Sequence, residues 1–153
     1  MPDLFTHLAA ARVPAAFLRD PRLGALLVFG TFVPDLVYKG LYWVARAGDD
    51  FGNPSHSLLG LVVLSYLAAL FVQPALRRSA FAALLAGGLV HVALDALKHH
   101  EGFGSADLLF PFSLRPMEVG WIHPEDVVFL VPAAAGVLLG AWILERRLRR
   151  ARQ

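Results

Sequence analysis

The amino-acid sequence predicts an all-α fold, a polytopic transmembrane helical bundle with four clear spans and a short N-terminal helix. Three observations carry that expectation. Of the 153 residues, 57% are hydrophobic and only 17% are charged, giving a mean hydropathy of +0.57; a soluble domain this small could not hide so much apolar surface. Four segments approach or exceed the roughly 20 apolar residues that a helix needs to cross a bilayer. Basic residues, finally, gather where the ends of those segments fall on one side.

The spans are placed at residues 22–45, 56–76, 79–99 and 125–145. Between them lie the expected breaks: Gly48-Asp49-Asp50 with Gly52-Asn53-Pro54, the Gln73-Pro74 to Arg77-Arg78 turn, and a long stretch from His99 to Glu125. The segment from Asp3 to Arg19 is short for a span and holds Arg12 and Pro14, so it reads as a tilted span, a half-inserted helix or an interfacial helix. No internal repeat or low-complexity tract divides the chain, and residues 1–153 read as a single membrane-embedded domain.

If the four spans alternate, Arg19, Arg22, Arg77, Arg78 and the cluster Arg146, Arg147, Arg149, Arg150 and Arg152 share one face, which the positive-inside bias makes cytoplasmic. The C-terminus is therefore expected on the cytoplasmic side of the membrane. The opposite, extracytoplasmic face receives the 46–55 and 100–124 loops with Asp49, Asp50, Glu101, Asp107 and Glu118 against Arg46 and Arg115. The net charge of +2 then reflects topology, and no nucleic-acid partner is expected. Met1-Pro2-Asp3-Leu4 lacks the basic start of a secretory signal, and no segment reads as a cleaved leader.

Within this frame two acids stand where lipid alone would not tolerate them. Asp35 lies inside the first span and Asp95 inside the third, and an ionised Asp at a helix centre costs about 2.5–3.5 kcal/mol on insertion scales. His91 and Asp95 are four apart and share a helix face. Under the alternating topology Asp35, His56, His91 and Asp95 all fall in the outer half of the bilayer, and His7 joins them only if the first segment starts on, or re-enters from, that side. With no cysteine in the chain, any metal must use His and carboxylate. Two His and two Asp, with His7 as a third His, suit a divalent ion such as Zn²⁺, with Mn²⁺ as an alternative. Such an ion activates water near neutral pH, which makes hydrolysis the chemistry on offer, with Asp35 or Asp95 as a candidate general base.

Simpler readings compete. Asp35 with Lys39, and Asp95 with Lys98, are at helical spacings that would neutralise the acids without a metal. His56, taken alone, reads as a helix-start residue beside serine caps, and His99, His100 and His123 fall at the membrane edge, where a solvated imidazole is the default. Gly87-Gly88 and Gly136 lie in apolar helices and suit close helix packing. There is no phosphate-binding glycine loop and no Gly-x-Ser-x-Gly elbow.

Taken in order, Thr6-His7, Pro34-Asp35, Ser55-His56-Ser57-Leu58-Leu59, Gly88-Leu89-Val90-His91 with Asp95, and Leu109-Phe110-Pro111-Phe112-Ser113 resemble the YdjM-like family of membrane-bound metal-dependent hydrolases. The likeness runs over roughly residues 4–113, and the His and Asp pattern is more distantly similar to zinc-dependent phospholipase C and related nucleases. The resemblance implies a prokaryotic inner-membrane location, metal-binding roles for His7, Asp35, His56, His91 and Asp95, and a lipid-like phosphoester as substrate. Two positions depart from the family pattern: Val37 stands where many members carry a second acid, and Phe51-Gly52-Asn53 replaces a basic His-Arg-Gly stretch. Both weigh toward a single ion, or none, over a dinuclear centre.

The expected function is a membrane-embedded metal-dependent hydrolase acting on a lipid-like phosphoester at the extracytoplasmic interface through a metal-activated water. The competing reading is a non-catalytic membrane protein whose His/Asp cluster holds a structural metal or relays protons or ions. A third is an adaptor presenting Phe103, Leu108, Leu109, Phe110, Phe112 and Trp121, residues equally suited to lying on the bilayer interface. Membrane lipid is the expected partner, and nothing in the pattern fixes an oligomeric state.

Overall fold

A computed structural model describes residues 4–45, 54–99, 107–113, 115 and 117–151. Asp49, Asp50, His100, Glu101 and Phe103 lie outside the described residues, as do most of the 46–55 loop and the first part of the 100–124 loop. Six α-helices account for most of the rest: α1 (Leu4–Phe17), α2 (Pro21–Gly30), α3 (Val33–Gly40), α4 (Leu58–Leu70), α5 (Arg77–Leu97) and α6 (Val127–Ala151). Among the described residues there is no strand; one isolated bridge joins Lys98 to Ile122.

The all-α expectation is met, and among the described residues two to three candidate spans are found where four are expected. Two helical stretches are long and apolar enough to cross a membrane, Pro74–Leu97 and Pro124–Leu148, and a third is available if the bent pair Pro21–Gly30 and Val33–Trp43 counts as one span. The bend has a local cause. Pro34 lacks an N–H and its ring crowds the carbonyl four residues back, so the helix ends at Gly30 and restarts beyond Thr31-Phe32 with a 42° change of direction. The expected span at 56–76 shrinks to α4, 13 residues, or about 20 Å against the roughly 30 Å of a hydrocarbon core. Its apolar composition is as expected, but Pro54–His56 form a 3₁₀ turn, Ser57 caps the helix, and Pro74–Leu76 form another 3₁₀ turn.

Helix direction follows from which residues meet. His7, early in α1, meets Asp95, late in α5, whereas Ala15, late in α1, shares a cluster with Ala83 and Leu27, so α1 and α5 run antiparallel. Leu61 packs on Val92 and Ala69 on Ala80 and Leu84, so α4 is also antiparallel to α5. The turns carrying Arg19, Arg22, Arg77 and Arg78 therefore lie at one end of the bundle and the His/Asp residues toward the other. At the basic end Asp20 caps α2 by accepting the Arg22 backbone N–H at 2.9 Å and its guanidinium at 3.2 Å; these hydrogen bonds hold its carboxyl below the ordinary range.

Close packing rests on glycine at two places. A Cβ on Gly30 would run into the Leu84 backbone, and one on Gly87 would run into the carbonyl of Leu27, so α2 and α5 touch backbone to backbone. The Ala82 to Gly88 stretch thus packs inside the bundle. Gly136 and Gly140 differ, since a Cβ on either would meet nothing within 4 Å. The segment left open between tilted span and interfacial helix, α1, is a packed member of the bundle: His7, Ala9, Ala11, Ala15 and Ala16 are buried, and Arg12 meets Glu145 of α6 at 2.5 Å. Only 11% of the apolar stretch of α6 is covered, leaving Val128, Phe129, Leu139 and Trp142 outward, the surface a lipid-facing helix presents.

Candidate metal centre

The centre is assembled from helix ends. His7 sits in the first turn of α1, Asp35 in the first turn of α3, His56 in the turn before α4, and His91 and Asp95 in the last two turns of α5. Local sequence explains each placement. The break at Pro34 frees Asp35 to turn inward at the start of a helix. His56 is aimed by a knuckle in which Ser57 Oγ donates to the Pro54 carbonyl at 2.8 Å and accepts the Gly60 N–H at 2.9 Å. Gly60 is required there because a Cβ would collide with that same carbonyl. Ser55 Oγ lies 3.0 Å from His56 Nδ1, which turns the other ring nitrogen toward the helices.

All five expected residues converge. His91 Nε2 and His56 Nε2 are 3.1 Å apart, and Asp95 Oδ2 lies 3.0 Å from the first and 3.6 Å from the second. Asp35 Oδ1 approaches His56 at 3.4 Å and His91 at 3.8 Å. The other Asp95 oxygen is 3.3 Å from His7 Nε2, whose ring packs on His91 with centroids 4.3 Å apart. His7 takes part because α1 starts at this end of the bundle. Two overlapping trios, His7 with His91 and Asp95, and Asp35 with His56 and His91, each bring their donor atoms within 4.8 Å of one another.

These separations fit a small divalent ion. Bonds of about 2.0–2.1 Å in a tetrahedron place neighbouring donor atoms about 3.3 Å apart, and the contacts of His56 and His91 with each other and with Asp35 and Asp95 range from 3.0 to 3.8 Å. Two imidazole nitrogens facing each other at 3.1 Å in a buried pocket can share only one proton, so a cation between lone pairs is a natural way to hold them. His91 Nδ1, on the far side of its ring, is buried with no hydrogen-bond partner among the described residues.

Three neighbours were not read as part of a site. Lys98 Nζ is 2.9 Å from Asp95 Oδ1, Lys39 Nζ is 3.7 Å from Asp35 Oδ2, and the Tyr38 ring stands edge-on to His56 at 6.0 Å. The lysine spacings were legible as ion pairs; their shared position around one pocket was not. His99 lies apart, paired with Glu118 at 2.5 Å and with its ring tilted against that of His123 at 5.3 Å. Those residues belong to a strap that satisfies the end of α5: Val119, Trp121 and Ile122 donate backbone N–H groups to the carbonyls of Ala96 and Leu97. Gly120, with φ of +67°, makes the turn. Of the expected adaptor surface, Leu108 is packed against Leu61 and Val92, while Leu109, Phe112 and Trp121 are exposed.

Compared with known families, the chain matches the family model of the YdjM inner membrane protein over residues 2–152. It belongs to the YdjM inner membrane protein family. The likeness read over residues 4–113 therefore extends to nearly the whole YdjM-family chain, including α6 and the basic tail. Membership brings an inner-membrane location, in keeping with the long apolar helices. No curated protein and no solved structure matches.

Proposed function

We propose that the protein is a membrane-embedded, metal-dependent hydrolase acting on a lipid-like phosphoester at the extracytoplasmic interface. The observation that carries this is the convergence of three histidines and two aspartates from four separate helical elements, in two overlapping trios whose donor atoms lie within 4.8 Å of one another. His56, His91, Asp35 and Asp95 would hold the ion, Zn²⁺ first and Mn²⁺ second, with His7 meeting the free oxygen of Asp95. When bound, such an ion supplies Lewis acidity to a water and to a phosphoryl oxygen. One of the two carboxylates, Asp35 or Asp95, would instead serve as the general base beside it. The Asp35 carboxylate is about a quarter exposed, 26%, so a substrate can reach the pocket from its side.

Depth favours a lipid-like substrate. Trp43, Phe112 and Trp121 are exposed at the end of the bundle that carries the site, and aromatic side chains of this kind collect at headgroup level. With the basic turns cytoplasmic, that level is the outer leaflet, and the C-terminus is cytoplasmic.

The experiment is elemental analysis of detergent-purified protein beside a folded His91→Ala, Asp95→Ala variant. About one zinc or manganese ion per chain, lost in the variant, is the expected result. A second reading draws on the Lys98–Asp95 and Lys39–Asp35 pairs, which neutralise the acids without any ion. On that reading the protein is a non-catalytic bundle or proton relay. Absence of metal from wild-type protein after reloading would decide for it.

A further inference from the structure

Charge accounting at the pocket points to what it receives. The two carboxylates, Asp35 and Asp95, are matched by two ammonium groups, Lys39 and Lys98, at 3.7 Å and 2.9 Å, and histidines acting as ligands are neutral. The cluster is therefore balanced before any ion enters. A divalent cation would leave two positive charges uncompensated at a pocket whose histidines are almost wholly buried, and uncompensated charge in such surroundings is costly. The deficit is that of a dianion, or of hydroxide together with a monoanionic ester.

The lysines are placed to meet that anion. Lys98 approaches the Asp95 oxygen that faces His7, away from the oxygen nearest His56 and His91. Lys39 approaches the second oxygen of Asp35, on the opposite carboxylate. Each ammonium has three N–H donors; Lys98 gives one to Asp95 at 2.9 Å, while Lys39, 3.7 Å from Asp35, is an ion-pair partner beyond hydrogen-bond distance, so donors remain for an incoming oxygen. Lys39 is 42% exposed and Lys98 13%, putting one cation at the mouth and one within.

Resting on the metallohydrolase reading above, we infer that this is a one-ion centre in which Lys98 supplies the second positive charge, and that Lys39 and Lys98 together bind the phosphoryl group of an anionic substrate. The chemistry recognised is a phosphate monoanion or dianion, carried either on a lipid headgroup or as a soluble ester.

The test measures binding, not turnover. Zinc-loaded wild type, Lys39→Gln and Lys98→Gln are titrated calorimetrically with inorganic phosphate in neutral detergent, and separately in nanodiscs of phosphatidylcholine with or without phosphatidic acid. Metal content is counted in the same samples. The expected result is about one ion per chain in all three proteins, with phosphate or phosphatidic acid binding weakened about ten-fold or more in each variant, as for loss of a charged hydrogen bond. Binding in the soluble arm or the lipid arm identifies the source. Equal binding by wild type and Lys39→Gln, whose exposed side chain can change without unfolding the bundle, would overturn the inference while leaving the metal centre standing. So would two ions per wild-type chain, or metal-loaded protein that binds neither probe. A wild type that takes up no metal would overturn the centre and this inference together.

Discussion

His56 shows how much a single ring depends on its neighbours. Its Nδ1 is engaged by Ser55 Oγ at 3.0 Å, and the turn that carries it is closed by Ser57 and Gly60. A metal-ligating imidazole whose other nitrogen loses its partner commonly costs 10–100-fold in metal affinity. Ser55→Ala is therefore expected to keep the fold and weaken zinc binding within that range, measured by competition with a chromophoric chelator. Unchanged zinc affinity in a folded Ser55→Ala protein would mean that His56 is held in place by packing alone, or that it is no ligand.

At the level of elements, the backbone contact between α2 and α5 is what brings Asp35 over His91. Adding a methyl at Gly87 forces two backbones apart, and overpacking of this kind costs about 1–3 kcal/mol. Gly87→Ala should lower the thermal midpoint in detergent and reduce metal content, since the separation is transmitted to the Asp35 side of the pocket. Gly136→Ala, facing open space, should change neither. The sequence shows why these helices exist but not where they stop. Apolar composition made 56–76 look like a span, yet the Pro54 to Ser57 turn and the Pro74 turn leave α4 only 13 residues. Pro34 was visible, but the 42° redirection depends on how α3 then packs. The i,i+4 spacing of His91 and Asp95 was legible because helical geometry fixes it. That Lys39 and Lys98 share one pocket was not, since it requires the relative rotation of α3 and α5, which no local pattern encodes.

Across the whole molecule, the arrangement has two unlike ends. One gathers Arg19, Arg22, Arg77 and Arg78 at the α1–α2 and α4–α5 turns; the other carries the buried His/Asp pocket, the strap over α5 and the exposed Trp43, Phe112 and Trp121. On the proposed orientation, with the basic turns cytoplasmic, the pocket would lie on the outer side of the inner membrane, where a lipid-like substrate of the outer leaflet would enter laterally and a soluble ester from the periplasmic side. The chain contains no cysteine, so single replacements report position without background. Phe112→Cys, at a side chain 89% exposed on the pocket end, should react with a membrane-impermeant maleimide in cells whose outer membrane alone is permeabilised. Gln73→Cys, at the opposite turn, should react only after the inner membrane is opened. The reverse pattern would place the pocket on the cytoplasmic side, leaving the metal chemistry intact but moving its substrate to the inner leaflet or the cytosol. Labelling of both positions from outside would mean that the α4–α5 pair re-enters the membrane without crossing it, which the 13-residue length of α4 makes the specific alternative to exclude.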